Sequence, residues 1–267
     1  MILRALILLA ALWVLPVVGP AIGPVHAADR AAVSCDDLTF DGNRYTVCEV
    51  DATRAQLKLF LRDDKGQVYG HFSSIEAALE PEGKELVFAT NAGMYHANRD
   101  PVGLYIEDGK QEMRLIPNAG PGNFGLLPNG VFCLRQGRAD VFETLAFRDA
   151  GTTCTSATQS GPMLVIDGDL HPRFLKDSDS RYIRNGVGTS ADGSRVVFAI
   201  SRNAVNFHDF GSLFRDHLGL PQALYFDGNI SRLHAPELGR SDVGFMMGPV
   251  VGVVEDIPDT EADTLQN

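Results

Sequence analysis

The segment that most constrains the fold of this chain is residues 195–227, where two apolar runs flank a helical pattern. Residues 196–200 and 223–226 are short apolar runs of the kind that form buried strands. Between them, Asn206 is placed to cap a helix, and Gly219 is placed to end it. These signals predict a strand, a helix and a second strand in immediate succession.

The predicted helix has one apolar face, which determines how the three elements pack. The residues of this face recur at spacings of three and four: Phe207, Phe210, Leu213, Phe214, His217 and Leu218. A strand-helix-strand unit of about thirty residues is typical of two parallel strands joined by a right-handed crossover. We therefore expect Asp227 and residues 201–203 to share one sheet edge, where α/β folds usually bind ligands.

Further strands and a second helix are predicted on the N-terminal side of this unit. Residues 44–50 and 57–61 alternate apolar and polar residues, as half-buried strands do. A short helix that ends at Leu79, capped by Ser73 or Ser74, precedes a buried strand at residues 85–89. Asn91 follows directly after that strand. Two hairpin turns are predicted at Asp-Gly dipeptides: Asp108-Gly109 and Asp167-Gly168.

These elements predict an α+β fold, a single domain with a mixed β-sheet flanked by helices, over residues 28–255. Residues 1–27 have a positive start, an apolar run and a small-residue end at Ala27, which is typical of a secretory signal peptide. A retained membrane anchor is the alternative, but prolines and a glycine interrupt the run before a full bilayer span. Residues 256–267 form an acidic tail that we expect to be flexible.

The charge of the chain limits its partners. The formal net charge is -11 at pH 7, which disfavours binding to nucleic acid. No later segment is apolar enough to span a membrane, so we expect no stable membrane span after the leader is cleaved. The prediction is an exported protein, periplasmic or secreted.

Four cysteines fall into two near pairs along the chain. In an oxidising compartment, Cys35 with Cys48 and Cys133 with Cys154 are expected to form two local disulfides, although four cysteines permit three connectivities. A metal site is the alternative. No Cys-x-x-Cys spacing supports it, and the seven histidines are scattered. We therefore expect neither a metal nor a cofactor.

Polar side chains beside apolar runs are the candidates for a ligand pocket. An amide at Asn91 both donates and accepts hydrogen bonds, which suits sugar hydroxyls. The carboxylate of Asp227 follows an apolar strand, where burial adjusts its pKa for acid, base or nucleophile work. Arg184 has the fork geometry for a phosphate or carboxylate. The alternative for Asn91 and Asp227 is a turn residue, and for Arg184 a solvated surface.

Several short blocks, taken together, resemble the phosphodiester glycosidase family, and most closely its exported bacterial members. The blocks are Thr90-Asn91-Ala92-Gly93-Met94-Tyr95, Pro101-Val102-Gly103-Leu104-Tyr105, Asn123-Phe124, Pro128-Asn129-Gly130-Val131, Ala157-Thr158-Gln159-Ser160-Gly161-Pro162, Arg184-Asn185-Gly186-Val187-Gly188 and Asp227-Gly228. They extend over about residues 48–254. The family often has a further glycine after the Asp-Gly pair, and Asn229 stands in that place here.

The resemblance implies an exported hydrolase that cleaves the bond between a sugar anomeric carbon and a phosphodiester. The lack of metal-ligand patterns in the sequence predicts that it does so without a metal. We predict catalytic roles for Asp227, Asn91 and Arg184. Substrate-binding roles are predicted for six further residues: Gly93, Ser160, Gly161, Asn185, Gly228 and Ser231. The expected partner is a small molecule or glycan that carries a sugar-1-phosphodiester.

Two other functional classes compete with this prediction. A non-catalytic envelope protein would bind a glycan or cell-wall phosphodiester with the same polar groups. A metal-dependent phosphodiesterase needs clustered carboxylates and histidines, which the sequence does not offer.

Overall fold

The computed structural model of the protein describes residues 31–228 and 230–258. Strands dominate these residues. In chain order they are β1 (Val33–Phe40), β2 (Asn43–Asp51), β3 (Gln56–Phe60), β4 (Lys84–Asn91), β5 (Tyr105–Glu107), β6 (Lys110–Met113), β7 (Gly130–Arg135), β8 (Arg138–Glu143), β9 (Ser156–Ser160), β10 (Met163–Ile166), β11 (Asp169–Leu170), β12 (Asn185–Thr189), β13 (Arg195–Ser201), β14 (Gln222–Asp227), β15 (Leu233–Ala235), β16 (Arg240–Ser241) and β17 (Val250–Asp256).

The strands form three sheets, and the prediction of one mixed sheet is wrong. The first sheet has the order β1-β2-β13-β12-β14-β10-β11, the second β16-β15-β4-β17-β3, and the third β6-β5-β9-β7-β8. Every neighbouring pair in these sheets is antiparallel. The fold is mainly β with few helices, so the α+β class is corrected as well.

The strand-helix-strand unit exists, but its two strands are not neighbours. Strands β13 and β14 run parallel to each other because both pair antiparallel with β12, which lies between them. The second sheet repeats this arrangement, since β17 lies between β3 and β4. Asp227 and Ser201 therefore end at the same sheet edge, as predicted. Strand β12 lies outside residues 195–227, so the sequence of this unit gives no sign that another strand separates β13 from β14.

The three sheets share one apolar core. Phe198 of the first sheet lies 4.8 Å from the ring of Phe88 in the second sheet and 5.9 Å from the ring of Phe132 in the third. Phe226, one residue before Asp227, packs edge-on to Phe132 at 6.1 Å. All four rings are buried. Close packing of large rings from three sheets holds the strand ends near the site in fixed relative positions.

Each sheet also carries one short helix on its other face. Phe72, Ile75 and Leu79 of α1 (Phe72–Leu79) pack on the second sheet, and Phe147 of α2 (Thr144–Ala150) packs on the third. Helix α3 (Phe207–Ser212) continues as a π-helical turn to His217 and covers the first sheet. These three helices lie on the outer faces of the sheets, and strand residues build the shared core between the sheets.

The helix caps were predicted with mixed success. The side chain of Asn206 caps α3 by accepting a hydrogen bond from the amide of Asp209 at 2.8 Å, as predicted. The cap at Ser73 or Ser74 is wrong, because α1 begins at Phe72, with His71 in the cap position and no side-chain hydrogen bond there. Phe72 is buried, and its packing starts the helix two or three residues earlier than a cap at either serine would.

The remaining predictions concern the disulfides, the hairpin turns and the two ends of the chain. Cys35 pairs with Cys48 and Cys133 with Cys154 in two disulfides. Both Asp-Gly dipeptides turn hairpins, one between β5 and β6 and one between β10 and β11. The predicted signal peptide at residues 1–27, Asn229 and the tail from residue 259 lie outside the described residues. Within the described ranges, no helix has the length and apolar character needed to cross a bilayer.

Candidate active site

Four strand ends from the three sheets meet at one place. Strand β4 ends at Asn91, β14 ends at Asp227, β9 ends at Ser160, and β12 begins at Asn185. Asn185 and Asp227 are direct partners in the first sheet, at a point where the register shifts. Such an irregularity re-aims side chains at the rim of a sheet. The polar residues of the separate sequence blocks are brought together by this topology.

Two buried asparagine side chains link the second sheet to the first. The amide nitrogen of Asn185 donates to the side-chain oxygen of Asn91 at 3.0 Å and to its main-chain oxygen at 2.9 Å. The amide nitrogen of Asn91 donates back to the side-chain oxygen of Asn185 at 3.2 Å. Both residues are buried, and a satisfied buried network of this kind rigidifies its surroundings.

The same network holds the main chain of Asp227. The main-chain amide of Asp227 donates to the side-chain oxygen of Asn185 at 3.1 Å, and the hydroxyl of Ser231 donates to the carbonyl of Asp227 at 2.9 Å. One residue earlier, the hydroxyl of Ser160 donates to the carbonyl of Phe226 at 2.9 Å. The backbone that carries the carboxylate is therefore fixed from both sides.

A cleft of about 690 Å³ opens beside this backbone. Its lining includes Met94, Tyr95, His96, Val102, Pro121, Gly122, Asn123, Phe124, Ser180, Tyr182, Tyr225, Asp227, Gly228 and Ile230. Asp227 is the one carboxylate among these lining residues, and three tyrosines surround it. The volume suits a sugar-sized ligand. Aromatic faces together with one acid and several amide or hydroxyl groups suit a carbohydrate ring.

The phenols near Asp227 are strongly perturbed. Burial raises the pKa of Tyr225, the negative charge of Asp227 raises it further, and the Arg184 guanidinium opposes the shift. Burial also raises the pKa of Tyr95, again with a contribution from Asp227 and with opposition from Arg99 and Arg232. Both phenols stay protonated and act as hydrogen-bond donors at neutral pH. The cleft thus combines one negative group with neutral donors.

Arg184 lies behind the cleft wall. Its side chain is fully buried, and its guanidinium stacks 3.7 Å from the centre of the Phe207 ring. Its Nε donates to the carbonyl of Val205 and its Nη2 to the carbonyl of Ser180, both at 2.9 Å. Burial lowers the pKa of Arg184. Because Ser180 and Tyr182 line the cleft, Arg184 holds the wall from inside.

The three glycines of the predicted site support the backbone around it. Gly93 has a φ of 150°, a conformation that side chains rarely adopt. A Cβ at Gly161 would lie 2.6 Å from the Cβ of Asn129, and one at Gly228 would collide with the Tyr225 hydroxyl. Of these glycines, Gly228 lines the cleft. A side chain at any of these positions would displace neighbouring groups.

Sequence reasoning did not single out several lining residues. His96 and Tyr182 line the cleft but have no role in the sequence-based prediction. Tyr182 is 50% exposed, which is unusual for a large aromatic side chain without a function. Asn123 and Tyr95 lay in the family blocks without an individual role. An aromatic residue such as Tyr182 within a polar stretch is a usable signal, because core packing does not account for it. The residues described contain no cluster of three or more potential metal ligands.

The sequence, fold and cleft define a phosphodiester-glycosidase-like protein, and comparison with known proteins identifies the family. The phosphodiester glycosidase family model matches residues 84–235, a range that includes every strand end at the site. The chain belongs to this family.

Individual relatives agree with this assignment. The uncharacterized protein YigE of Escherichia coli strain K12 is 35% identical over 208 residues, which cover 78% of this chain and 79% of YigE. The catalytic domain of zebrafish N-acetylglucosamine-1-phosphodiester alpha-N-acetylglucosaminidase, auto-inhibited by its pro-peptide, has a TM-score of 0.56 at 13% identity over 83% of this chain and 81% of that chain. A hypothetical protein from Synechocystis has a TM-score of 0.56 at 12% identity, over 82% of this chain and 61% of that chain. At such identities the two structures establish a shared fold.

Proposed function

We propose that this protein is a glycosidase that hydrolyses the bond between a sugar anomeric carbon and a phosphodiester. Family membership supports the reaction class. The observation that carries the proposal is the position of Asp227, the one carboxylate among the described lining residues of the cleft, on a backbone held by Asn185 and Ser231. A rigidly held acid in a sugar-sized cleft is what hydrolysis at an anomeric carbon requires.

The reaction develops positive charge at the anomeric carbon. The carboxylate of Asp227 stabilises this oxocarbenium character, as a nucleophile, a base or a fixed charge. The amide of Gly228 donates to its Oδ1 at 2.6 Å, which helps to fix the orientation of the carboxylate. Tyr182, half-exposed in the wall, offers a ring face to the sugar.

The leaving group explains why a second carboxylate is unnecessary. A phosphodiester departs as an anion that is already stable, so strong protonation by an acid matters less than with an alcohol leaving group. The protonated phenols of Tyr95 and Tyr225 line the cleft together with Asp227. Both stand beside Asp227 in the cleft wall.

The other two predicted catalytic residues, Asn91 and Arg184, act on position, and so does Asn185, for which a substrate-binding role is predicted. Asn91 and Asn185 are buried and hold the backbone of Asp227 through their shared hydrogen bonds. Arg184 holds the segment that carries Ser180 and Tyr182. We assign all three as positioning residues and Asp227 as the catalytic residue. The two disulfides support export to an oxidising compartment.

The test compares the same substitution at two Asp-Gly dipeptides, one in the cleft and one in a hairpin turn. Asp227→Asn removes the charge from the cleft, whereas Asp167→Asn changes the Asp-Gly turn of the hairpin between β10 and β11. Each is assayed against a panel of chromogenic sugar-1-phosphodiesters. The parent and Asp167→Asn should release product, and Asp227→Asn should be slower by at least about a thousandfold. Binding of the panel without turnover by the parent would instead favour a glycan-binding envelope protein.

A further inference from the structure

Within the residues that the structure describes, Arg232 carries a buried guanidinium without a counter-charge. The residue is only 8% exposed, and its Nη1 is buried without a hydrogen-bond partner among those residues. Within residues 31–228 and 230–258, its side chain makes no hydrogen bond and no ion pair. Burying a charge in this way is costly, because water is lost and no opposite charge replaces it. Proteins keep such costs mainly where function requires them.

The main chain of Arg232 belongs to the network around Asp227. Its amide donates to the side-chain oxygen of Asn91 at 3.0 Å, and its carbonyl accepts a hydrogen bond from the hydroxyl of Thr90 at 2.8 Å. The positive charge of Arg232 lowers the pKa of Tyr95, whose ring lines the cleft, whereas the negative charge of Asp227 raises it. The loop that carries Gly244 links the two residues, because the Tyr95 hydroxyl donates to the carbonyl of Met246 at 3.3 Å while Gly244 lies against the Arg232 guanidinium.

A glycine leaves room for the guanidinium. Gly244 lies against it so closely that a Cβ there would be 2.9 Å from Cζ of Arg232 and would collide with Nη2. The backbone of the loop is thus all that covers this side of the guanidinium. The neighbouring side chains of that loop point outward, with Phe245 81% exposed. None of them offers the guanidinium a partner.

The other cations near the cleft are already engaged. Arg184 also has a buried Nη1 without a hydrogen bond, but its Nε and Nη2 donate to two carbonyls and its plane stacks on Phe207. Arg99 stacks over the Tyr95 ring at 5.3 Å and donates to the carbonyl of Ala97. Arg240 forms two hydrogen bonds to Asp242. Among these four arginines, and within the described part of the chain, Arg232 is the one whose side chain makes no hydrogen bond.

We propose that Arg232 is the anion-binding residue of the site and receives the phosphate of an anionic sugar diester. This inference rests on the proposed function and deepens it, because it names the charged part of the substrate as the recognised group. A guanidinium fork matches two phosphate oxygens, and the loop against Arg232 also contacts Tyr95, which lines the cleft with Asp227. The sugar is then placed over the acid while the phosphate lies toward Arg232.

The experiment measures binding by calorimetry with the full chain carrying Asp227→Asn, which prevents turnover. The probes are N-acetylglucosamine 1-(methyl phosphate), the uncharged methyl N-acetylglucosaminide, and dimethyl phosphate as the anion without a sugar. Arg232→Met should weaken binding of both anionic probes by at least about tenfold. Binding of the uncharged glycoside should change by less than about twofold. Arg240→Met is the matched control and should leave all three affinities unchanged.

Folding is checked in the same samples. If Arg232 serves binding, Arg232→Met removes an uncompensated charge and its Tm should equal or exceed that of the parent. Should Arg232→Met fail to fold, Arg232→Lys takes its place. Lysine keeps the charge but lacks the fork, so the anionic probes should bind at least about threefold more weakly.

The two proposals fail in different ways. If anionic probes bind Arg232→Met, or a folded Arg232→Lys, as tightly as the parent, the inference is overturned even where the parent turns over its substrates. If dimethyl phosphate binding depends on Arg232 but no sugar phosphodiester is hydrolysed, the anion site stands and the glycosidase proposal does not.

Discussion

The side-chain oxygen of Asn185 accepts a hydrogen bond from the main-chain amide of Asp227 at 3.1 Å, across a register shift between β12 and β14. This contact places an uncharged, buried amide directly beneath the residue that we assign as catalytic. The position of the carboxylate therefore depends on a residue that does not itself line the cleft.

Asn185→Ala should reduce both stability and turnover. It leaves the Asp227 amide and the Asn91 side chain without their partner, and each buried unsatisfied group costs about 1–3 kcal/mol. We expect a loss of about 2–5 kcal/mol in the free energy of unfolding, measured by urea denaturation. Asn203→Ala, which removes a less buried amide bonded to Asn43, is the control and should cost about 1 kcal/mol or less. An Asn185→Ala protein as stable as the control would contradict the network's role.

Arg184→Met and Arg232→Met should differ in their effect on stability. Arg184→Met removes two hydrogen bonds to carbonyls and the stack on Phe207, so it should lower stability by about 2–4 kcal/mol. Arg232→Met removes a charge that has no partner among the described residues and should not lower it. Thermal melts of the two variants side by side are the measurement. Equal destabilisation would mean that Arg232 is structural.

Glu107 should make stability depend on pH. Burial raises the pKa of Glu107 to about 7, although the hydroxyl of Tyr105 donates to its carboxylate at 2.5 Å. The folded state therefore binds this proton more tightly than the unfolded state, whose carboxyl titrates near 4.5. Stability contributed by the protonated form is complete below about pH 4.5 and is lost as the pH rises to about 7. The loss should be on the order of 3 kcal/mol.

Glu107→Gln removes the titrating group and tests this prediction. The difference in unfolding free energy between parent and variant should change across pH 4.5–7 and stay constant above that window. Glu255→Gln, an exposed residue near the end of β17 that does not act on Glu107, is the control and should keep the parent's slope. A parent whose stability rises steadily through the same window would show that another group dominates.

Local signals predicted the local features of this fold. The Asn206 cap, the two Asp-Gly hairpins and the shared edge of Ser201 and Asp227 follow from residues close together in the chain. The family blocks also located the strand ends that form the site. Each of these features depends on turn chemistry or on short-range periodicity.

The sheet arrangement depends on distant pairing and was not predictable in the same way. Strand β17 enters the second sheet beside β4 from more than a hundred residues further along the chain, and β12 separates β13 from β14. The burial of individual arginine side chains could not be predicted from the sequence either. Nothing in the sequence alone distinguishes Arg184, enclosed by aromatic rings, from Arg232, whose guanidinium has no such enclosure.

The most direct test of the central claim is to identify the bond that breaks. The parent protein is incubated with N-acetylglucosamine 1-(methyl phosphate) in ¹⁸O-labelled water, and the masses of the products are measured by mass spectrometry. Attack at the anomeric carbon next to Asp227 predicts ¹⁸O in the sugar and unlabelled methyl phosphate. Label found in the phosphate would mean cleavage at phosphorus, and it would contradict the assignment of Asp227 and of the whole cleft to glycoside chemistry.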